Sequence, residues 1–303
     1  MTAVGLGKII LLGEHAVVYG YPALAAALDR GVTIAAVPTP AGGSLRIDIP
    51  AWSLKVSATD DHPVARSLCA IADELGIGRP TVTLVGDAQI PPGAGLGSSA
   101  ALAVAVTRAL LLHDRRKADR AVVARAADAS EMLMHGRSSG VDVALAIAGG
   151  VGVFRKATGL RSFKSQPLRV LVGPSGAPRS TAAMVDRVAH ETHEVVDDAR
   201  LRELGGLTDT GTTALLASDL VGLGAAMNRA HQILAGLGVS TEQLDALCEA
   251  ARVTGAHGAK LTGAGGGGAV IAIAPRDREQ AVLSEWKKAG VTGFVATIGG
   301  GVS

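Results

Sequence analysis

The segment Pro91-Pro92-Gly93-Ala94-Gly95-Leu96-Gly97-Ser98-Ser99-Ala100-Ala101 carries the strongest chemical signal in the chain. Glycines at alternate positions let the backbone curl and expose its amides, two hydroxyls follow, and a helical pattern begins at once with its positive end toward the loop. Such a cradle suits an anion, and phosphate best. The plain alternative is a turn with Ser98 as a helix cap, but a cap needs neither three glycines nor two prolines. No Gly-Lys-Ser/Thr follows, so this is not a Walker loop, and the third glycine falls too early for a dinucleotide fingerprint. Asp114 stands about 20 residues on, where a ribose-binding acid is sought. It follows one long helix and precedes a charged linker, so no strand end presents it. A nicotinamide-dependent dehydrogenase is a rival on that spacing alone.

Three further segments hold groups that do chemistry. Lys260-Leu261-Thr262-Gly263-Ala264-Gly265-Gly266-Gly267-Gly268 reads as a second glycine loop ahead of a strand. Four successive glycines lose much chain entropy on ordering, which requires close approach of another backbone or a ligand; the alternative is a hinge. Glu131 and His135 lie four apart on one helix face, followed by Ser139-Gly140-Val141-Asp142. Glu131 and Asp142 are suited to binding magnesium and to taking a proton from a hydroxyl, while Ser139-x-x-Asp142 equally has the spacing of a capping box. Lys8-Ile9-Ile10-Leu11-Leu12-Gly13-Glu14-His15 sets a lysine, a glutamate and a histidine at the border of an apolar strand. His135 reads as a capping or packing histidine, and His190 and His193 as the solvated face of a helix rather than a metal site.

The elements that must position these groups follow from pattern. Strands are predicted at 8–12, 32–37, 45–49, 54–57 and 81–85. Pro63 opens a helix that runs to Leu75 and stops at Gly76. Helices follow at 98–112 and 119–135, then short strands at 151–154 and 160–163. Beyond a domain boundary near residue 165 come a strand at 169–172, helices at 181–203, 212–237 and 241–254, a strand at 269–274, a helix at 277–289 and a strand at 294–298. This is an α+β plan without strict βαβ alternation.

Composition narrows the function. The 303 residues are 48% apolar and 18% charged, which excludes a disordered chain. A net charge of +2 and only seven aromatics leave neither the clustered cations nor the stacking platforms of a nucleic-acid binder. The densest charged run, 114–120, mixes both signs and reads as a solvated connection. The stretch 88–107 has membrane-spanning length, but its prolines, glycines and serines make it a loop entering a helix. Cys69 and Cys248 form no framework, so a reducing, cytoplasmic location is expected, and Ile9 to Leu12 is too short for the apolar region of a signal peptide. Forty glycines are about twice the usual fraction.

Taken in order, KIILLGEHAVVYG, PPGAGLGSSAA, the Glu-x-x-x-His-Gly turn before SGVD, PRSTAAMV at Pro178 to Val185 and KLTGAGGGG resemble the GHMP family of small-molecule kinases. Within it they are most similar to the mevalonate kinases. The resemblance spans almost the whole chain. It implies an N-terminal mixed-sheet domain (ribosomal S5 domain 2-like) over 1–165, a ferredoxin-like C-terminal domain over 166–303, and an active site between them. It implies ATP and Mg2+ as cofactors, mevalonate as the small-molecule partner, and phosphorylation of its 5-hydroxyl in isoprenoid biosynthesis. By resemblance Lys8 and Asp142 match the catalytic pair, and Ser99 and Glu131 the magnesium ligands. Pro92, Gly93, Ala94, Gly95, Leu96, Gly97, Ser98, Ser99 and Ala100 match the phosphate loop. His15, Glu14, Ser139, Thr181 and Ala264 match positions beside the acceptor, and Gly263, Gly265, Gly266 and Gly267 a loop that closes over it. The acceptor is itself a carboxylate, for which Arg179, Lys260 and His15 are candidate partners. Val143 stands where the family commonly has asparagine, and Ser138 where proline is frequent. The alternatives are a kinase for phosphomevalonate or for the 3-hydroxyl of mevalonate, and a non-catalytic nucleotide or metabolite sensor. A homodimer is one assembly the sequence leaves open.

Overall fold

In a computed structural model of the chain, which describes residues 1–39, 43–135, 140–177, 180–193, 195 and 197–300, the elements follow the punctuation of the sequence. Helix α1 (Pro63–Leu75) begins at its proline, with His62 accepting a hydrogen bond from the Val64 amide, and ends where Gly76 turns left-handed at φ 65°. Two compact units result. One comprises Met1–Gly7, Asp29–Pro92 and Gly97–Gly149, and the other Lys8–Leu28, Gly93–Leu96 and Gly150–Ser303. Two of their limits fall within strands β1 (Thr2–Leu12) and β2 (Ala23–Pro38), and the others beside Gly93, Gly97 and Gly150.

In the first unit β3 (Arg46–Ile49) pairs antiparallel with β4 (Leu54–Ser57) and parallel with β5 (Val82–Ala88), which in turn runs antiparallel to residues 32–38 of β2. The sheet is therefore mixed. Helices α1, α2 (Ser98–His113), α3 (Arg120–His135) and α4 (Val141–Ala148) pack on one another. The Ala/Leu/Val composition of α2 reflects its surroundings, since its residues 100–107 and 109–111 are all buried.

In the second unit residues 23–26 of β2 pair antiparallel with β6 (Val151–Arg155), which pairs with β7 (Gly159–Phe163). A separate antiparallel sheet has the order β11 (Phe294–Ile298), β8 (Leu168–Pro174), β10 (Ala269–Ile273), β9 (Gly258–Thr262). The helices are α5 (Thr181–Glu191), α6 (Ala199–Leu216), α7 (Leu220–Gly236), α8 (Glu242–Val253) and α9 (Glu279–Lys288), with α7 and α8 against β9. Strand β9 meets α7 at two glycines: a Cβ on Gly258 would lie 2.2 Å from the Gly224 carbonyl oxygen. Part of the glycine surplus thus serves close packing rather than loops.

Several sequence expectations are revised. The helix read over 181–203 is two, because the Asp198 carboxylate accepts from the Arg200 amide and starts α6 anew. The helix read over 212–237 is likewise divided: Ser218 sits at φ 57° and Asp219 caps α7 through the Gly222 amide. Lys260, Leu261 and Thr262, read as loop, form the fully buried strand β9. The 114–120 run is exposed throughout, and Asp114 lies 3.7 Å from Arg116, a surface ion pair. Both cysteines are free, Cys248 buried and Cys69 half-buried. No helix among the described residues is long and apolar enough to cross a membrane.

Candidate active site

Strand β1 delivers Lys8 and the turn that follows it. Lys8 is 5% exposed, and its amide donates to the Leu96 carbonyl at 2.8 Å, which fastens the middle of the first glycine loop to the strand. At the strand's end Gly13 adopts φ 95°, where a Cβ would come within 2.3 Å of the Pro22 carbonyl. His15 also turns left-handed, φ 60°, a conformation uncommon for a residue with a side chain. Its Nε2 lies 2.8 Å from the Ala264 carbonyl oxygen, an obligate acceptor, so the hydrogen is assigned to Nε2. The Glu14 side chain turns instead to Lys260, and both are buried. Burial raises the Glu14 carboxyl above its ordinary range, and Lys260 and then Lys8 act against that rise; burial lowers the Lys260 ammonium. Lys260 also donates to the Leu261 carbonyl at 2.6 Å, and with no exposed surface it does not meet a solvent-borne carboxylate.

The second glycine loop is ordered by backbone, and the hinge alternative fails. Gly265, Gly266, Gly267 and Gly268 all have positive φ, from 68° to 128°. A Cβ on Gly265 would fall 2.0 Å from the Val239 carbonyl oxygen, which also accepts from the Gly266 amide at 2.8 Å. The Gly268 carbonyl accepts from the Ser175 amide at 2.7 Å. Thr262, just before the loop, accepts from the Ile10 amide and donates to the Ile10 carbonyl, each at 3.0 Å. Strand β9 and the loop after it are thereby stitched to strand β1 and the turn after it, at 262 to 10, 260 to 14 and 264 to 15. The close approach expected at the glycine run is made by Val239.

In the first unit, Gly97 is the N-cap of α2 at φ 71°, so Ser98 does not cap the helix; Ser98 and Ser99 occupy its first two positions. With Gly93 at 73° and Gly95 at 79°, the three alternate glycines are all left-handed, the geometry that turns successive amides to one side. Glu131 lies on α3, 6% exposed, and α3 packs on α2. Asp142 lies in the first turn of α4, half-buried, with Gly140 as the N-cap. A capping box starting at Ser139 would require Asp142 one position later in the helix, so that alternative is removed. Val143 is 2% exposed, an apolar residue in an apolar place.

Thr181 is exposed at the start of α5, one residue after the N-cap Ser180, whose hydroxyl accepts from the Ala183 amide. Ser138, Ser139, Pro178, Arg179 and the side chain of His135 lie outside the described residues. His190 is exposed on α5, whereas His193, also exposed, follows the end of that helix at φ 49°. Among the described residues no three His, Cys, Asp or Glu side chains gather as metal ligands. Sequence reasoning missed Thr262, Val239 and His231. The buried His231 accepts from the Leu261 amide at Nδ1 (3.3 Å) and donates from Nε2 to Asp245 (3.0 Å). Their signal is only positional, because each acts on a residue distant in the chain.

Comparison with known proteins places this arrangement. The model for the GHMP kinases N terminal domain matches residues 62–150, and that for GHMP kinases C terminal matches 212–292. A mevalonate kinase of Thermococcus sibiricus is 36% identical over 96% of this chain and 94% of its own. The crystal structure of the Methanococcus jannaschii mevalonate kinase superposes with a TM-score of 0.85 at 26% identity, covering 99% of this chain and 98% of that one. The L. major mevalonate kinase in complex with R-mevalonate gives 0.84 at 26% identity, covering 100% and 97%.

Proposed function

The chain belongs to the mevalonate kinase family of the GHMP kinases, and from that membership we propose that it transfers the terminal phosphoryl group of ATP to the 5-hydroxyl of mevalonate. The product is 5-phosphomevalonate, an intermediate of isoprenoid synthesis. The observation that carries this choice of acceptor is the 36% identity to the T. sibiricus enzyme across nearly the whole of both chains, not across a phosphate loop alone. Residues 1–165 and 166–303 serve as its N-terminal and C-terminal kinase domains.

The residues divide the work by chemistry. The amides of the segment from Pro92 to Ala100 and the N-terminus of α2 receive phosphate oxygens. The Ser99 hydroxyl and the buried Glu131 carboxylate, on packed helices of one unit, are a hard-oxygen set of the kind Mg2+ uses when waters and phosphates complete its shell. Magnesium held there would neutralise phosphate charge during transfer. Asp142 orients the 5-hydroxyl and accepts its proton. In a loose transition state that proton leaves late, so placement matters more than base strength. The Lys8 ammonium stabilises the transferring group. His15, Thr181, Ala264 and Ser139 border the acceptor, with Glu14 behind His15, and Gly263, Gly265, Gly266 and Gly267 form the loop that covers it. His15 and Arg179 remain as the partners for the acceptor carboxylate.

The test is a coupled assay with ATP and mevalonate, with and without magnesium, and phosphorus NMR of the product. Phosphorylation at the 5-position that depends on magnesium is expected. Turnover of phosphomevalonate with none of mevalonate would overturn the acceptor, and a product phosphorylated at the 3-hydroxyl would overturn the regiochemistry.

A further inference from the structure

Gly5 in β1 and Gly31 in β2 occupy strand positions, where glycine weakens the element unless another backbone must come close. Here one does. A Cβ on Gly5 would fall 2.0 Å from the Ala101 carbonyl oxygen, and a Cβ on Gly31 would fall 2.0 Å from the carbonyl oxygen of Gly5 itself. Strands β1 and β2 are neighbours in one sheet, so Gly5 meets the backbone of β2 and also that of α2. All three residues belong to the first unit.

Their contacts lead to both ends of the loop proposed to receive phosphate. Ala101 is the fourth residue of α2, and its amide donates to the Gly97 carbonyl at 2.9 Å, which closes the first turn of the helix on its cap. The Gly31 carbonyl accepts from the Gln89 amide at 2.9 Å, and the Ile90 carbonyl accepts from the Trp52 indole, also at 2.9 Å. One stack of backbone, Gly31 on Gly5 on Ala101, is thus bonded to the chain where it enters the loop at 89 and where it leaves at 97. Farther along α2, the Arg108 guanidinium donates to the Val4 carbonyl at 2.5 Å and to the Ile147 carbonyl at 2.9 Å. The helix is therefore held against β1 at two points about two turns apart.

We infer that Gly5, backed by Gly31, is a positioning residue for nucleotide binding: it lets α2 seat on β1 closely enough to hold both ends of the loop in place before nucleotide arrives. This role rests on the reading of Pro92 to Ala100 as the loop that receives phosphate. A Cβ at residue 5 would need a shift of about 1 Å to reach an ordinary contact with the carbonyl oxygen, and a misplacement of that size at a reacting group costs about 100-fold. Strand β1 is held in its sheet by β2, so α2 takes the shift.

The experiment begins with amide exchange, followed by NMR, in the full wild-type chain without nucleotide. The Gln89 and Ala101 amides should exchange as slowly as those of Val104 and Leu110, which are buried in α2. Fast exchange that slows only on adding MgADP would show that the nucleotide orders the loop, and would overturn the inference. Calorimetry with ATP and steady-state kinetics then compare Gly5→Ala with the wild type. The value of kcat/KM for ATP should fall about 100-fold, mostly through KM, with KM for mevalonate at saturating ATP little changed. Partial unfolding would instead lower kcat and leave both KM values alone. A folded Gly5→Ala chain with wild-type kcat/KM for ATP, or with its loss confined to kcat, would also overturn the inference. If Gly5→Ala does not fold, exchange in the wild-type chain decides the matter. A wild-type chain that binds no ATP would overturn the phosphate-loop reading itself, whereas the exchange and kinetic outcomes overturn only the seat, so the two failures are distinguishable.

Discussion

His15 Nε2 lies 2.8 Å from the carbonyl oxygen of Ala264, tying the turn after the first strand to the second glycine loop. Since the carbonyl only accepts, that nitrogen carries the hydrogen. His15→Ala should remove that tie and, on the role proposed for His15, its contact with mevalonate. We expect KM for mevalonate to rise about tenfold, equivalent to about 1.4 kcal/mol, with kcat changed less. Steady-state kinetics with each substrate varied in turn checks this, and an unchanged KM would remove His15 from the acceptor site.

Asp142 sits in the first turn of α4 behind a glycine cap, so its carboxylate is not consumed by a capping box. Asp142→Ala should leave ATP binding intact by calorimetry and lower kcat by a factor of about 100 to 10,000, the range typical of lost proton transfer. Turnover at the wild-type rate would refute the assignment.

The two glycine loops should respond differently to alanine. At Gly265 a Cβ meets the Val239 carbonyl at 2.0 Å in a left-handed backbone, whereas at Gly93, φ 73°, nothing lies within 4 Å. Gly93→Ala then carries only the left-handed penalty of about 1–2 kcal/mol. Gly265→Ala adds an overpacking term of about 1–3 kcal/mol. Urea denaturation of the two variants measures the difference, and equal midpoints would show that the loop relaxes away from Val239.

Acid should weaken the fold through His231. Burial pulls its pKa down to about 4, against the opposing influence of Asp245, while an unfolded histidine titrates near 6.5. Between those values the unfolded chain binds more protons, so this contribution is complete above about pH 6.5 and is lost as pH falls toward 4. The mechanism is local: protonation removes the Nδ1 lone pair that accepts from the Leu261 amide. His231→Gln should flatten the acid limb of a stability profile by up to about 1.4 kcal/mol per pH unit. A limb of unchanged slope would place the titration elsewhere.

Much of this molecule was legible in local sequence because the relevant forces are local. Pro63 and Gly76 set the limits of α1, and strand β4 lies where its alternation puts it, since φ preference and side-chain period act over a few residues. The left-handed glycines at 93, 95 and 97 likewise follow from the spacing of a residue without a Cβ. Long helical patterns were less decisive, because the breaks at Asp198 and Asp219 depend on single capping carboxylates inside otherwise helical composition.

Tertiary structure alone decided which polar groups meet. Nothing around Lys260 announces Glu14, nothing around Gly265 announces Val239, and nothing around Thr262 announces Ile10. Each pair is brought together by the placement of strands β1 and β9 and of the turns beside them within the second unit, where burial converts an ordinary lysine and glutamate into an interdependent pair. The sequence by itself determined the family, the glycine loop proposed to receive phosphate and the residue types available to the proposed site. The fold determined which of those side chains are held by other parts of the protein, because desolvation depends on neighbours that are remote in the chain.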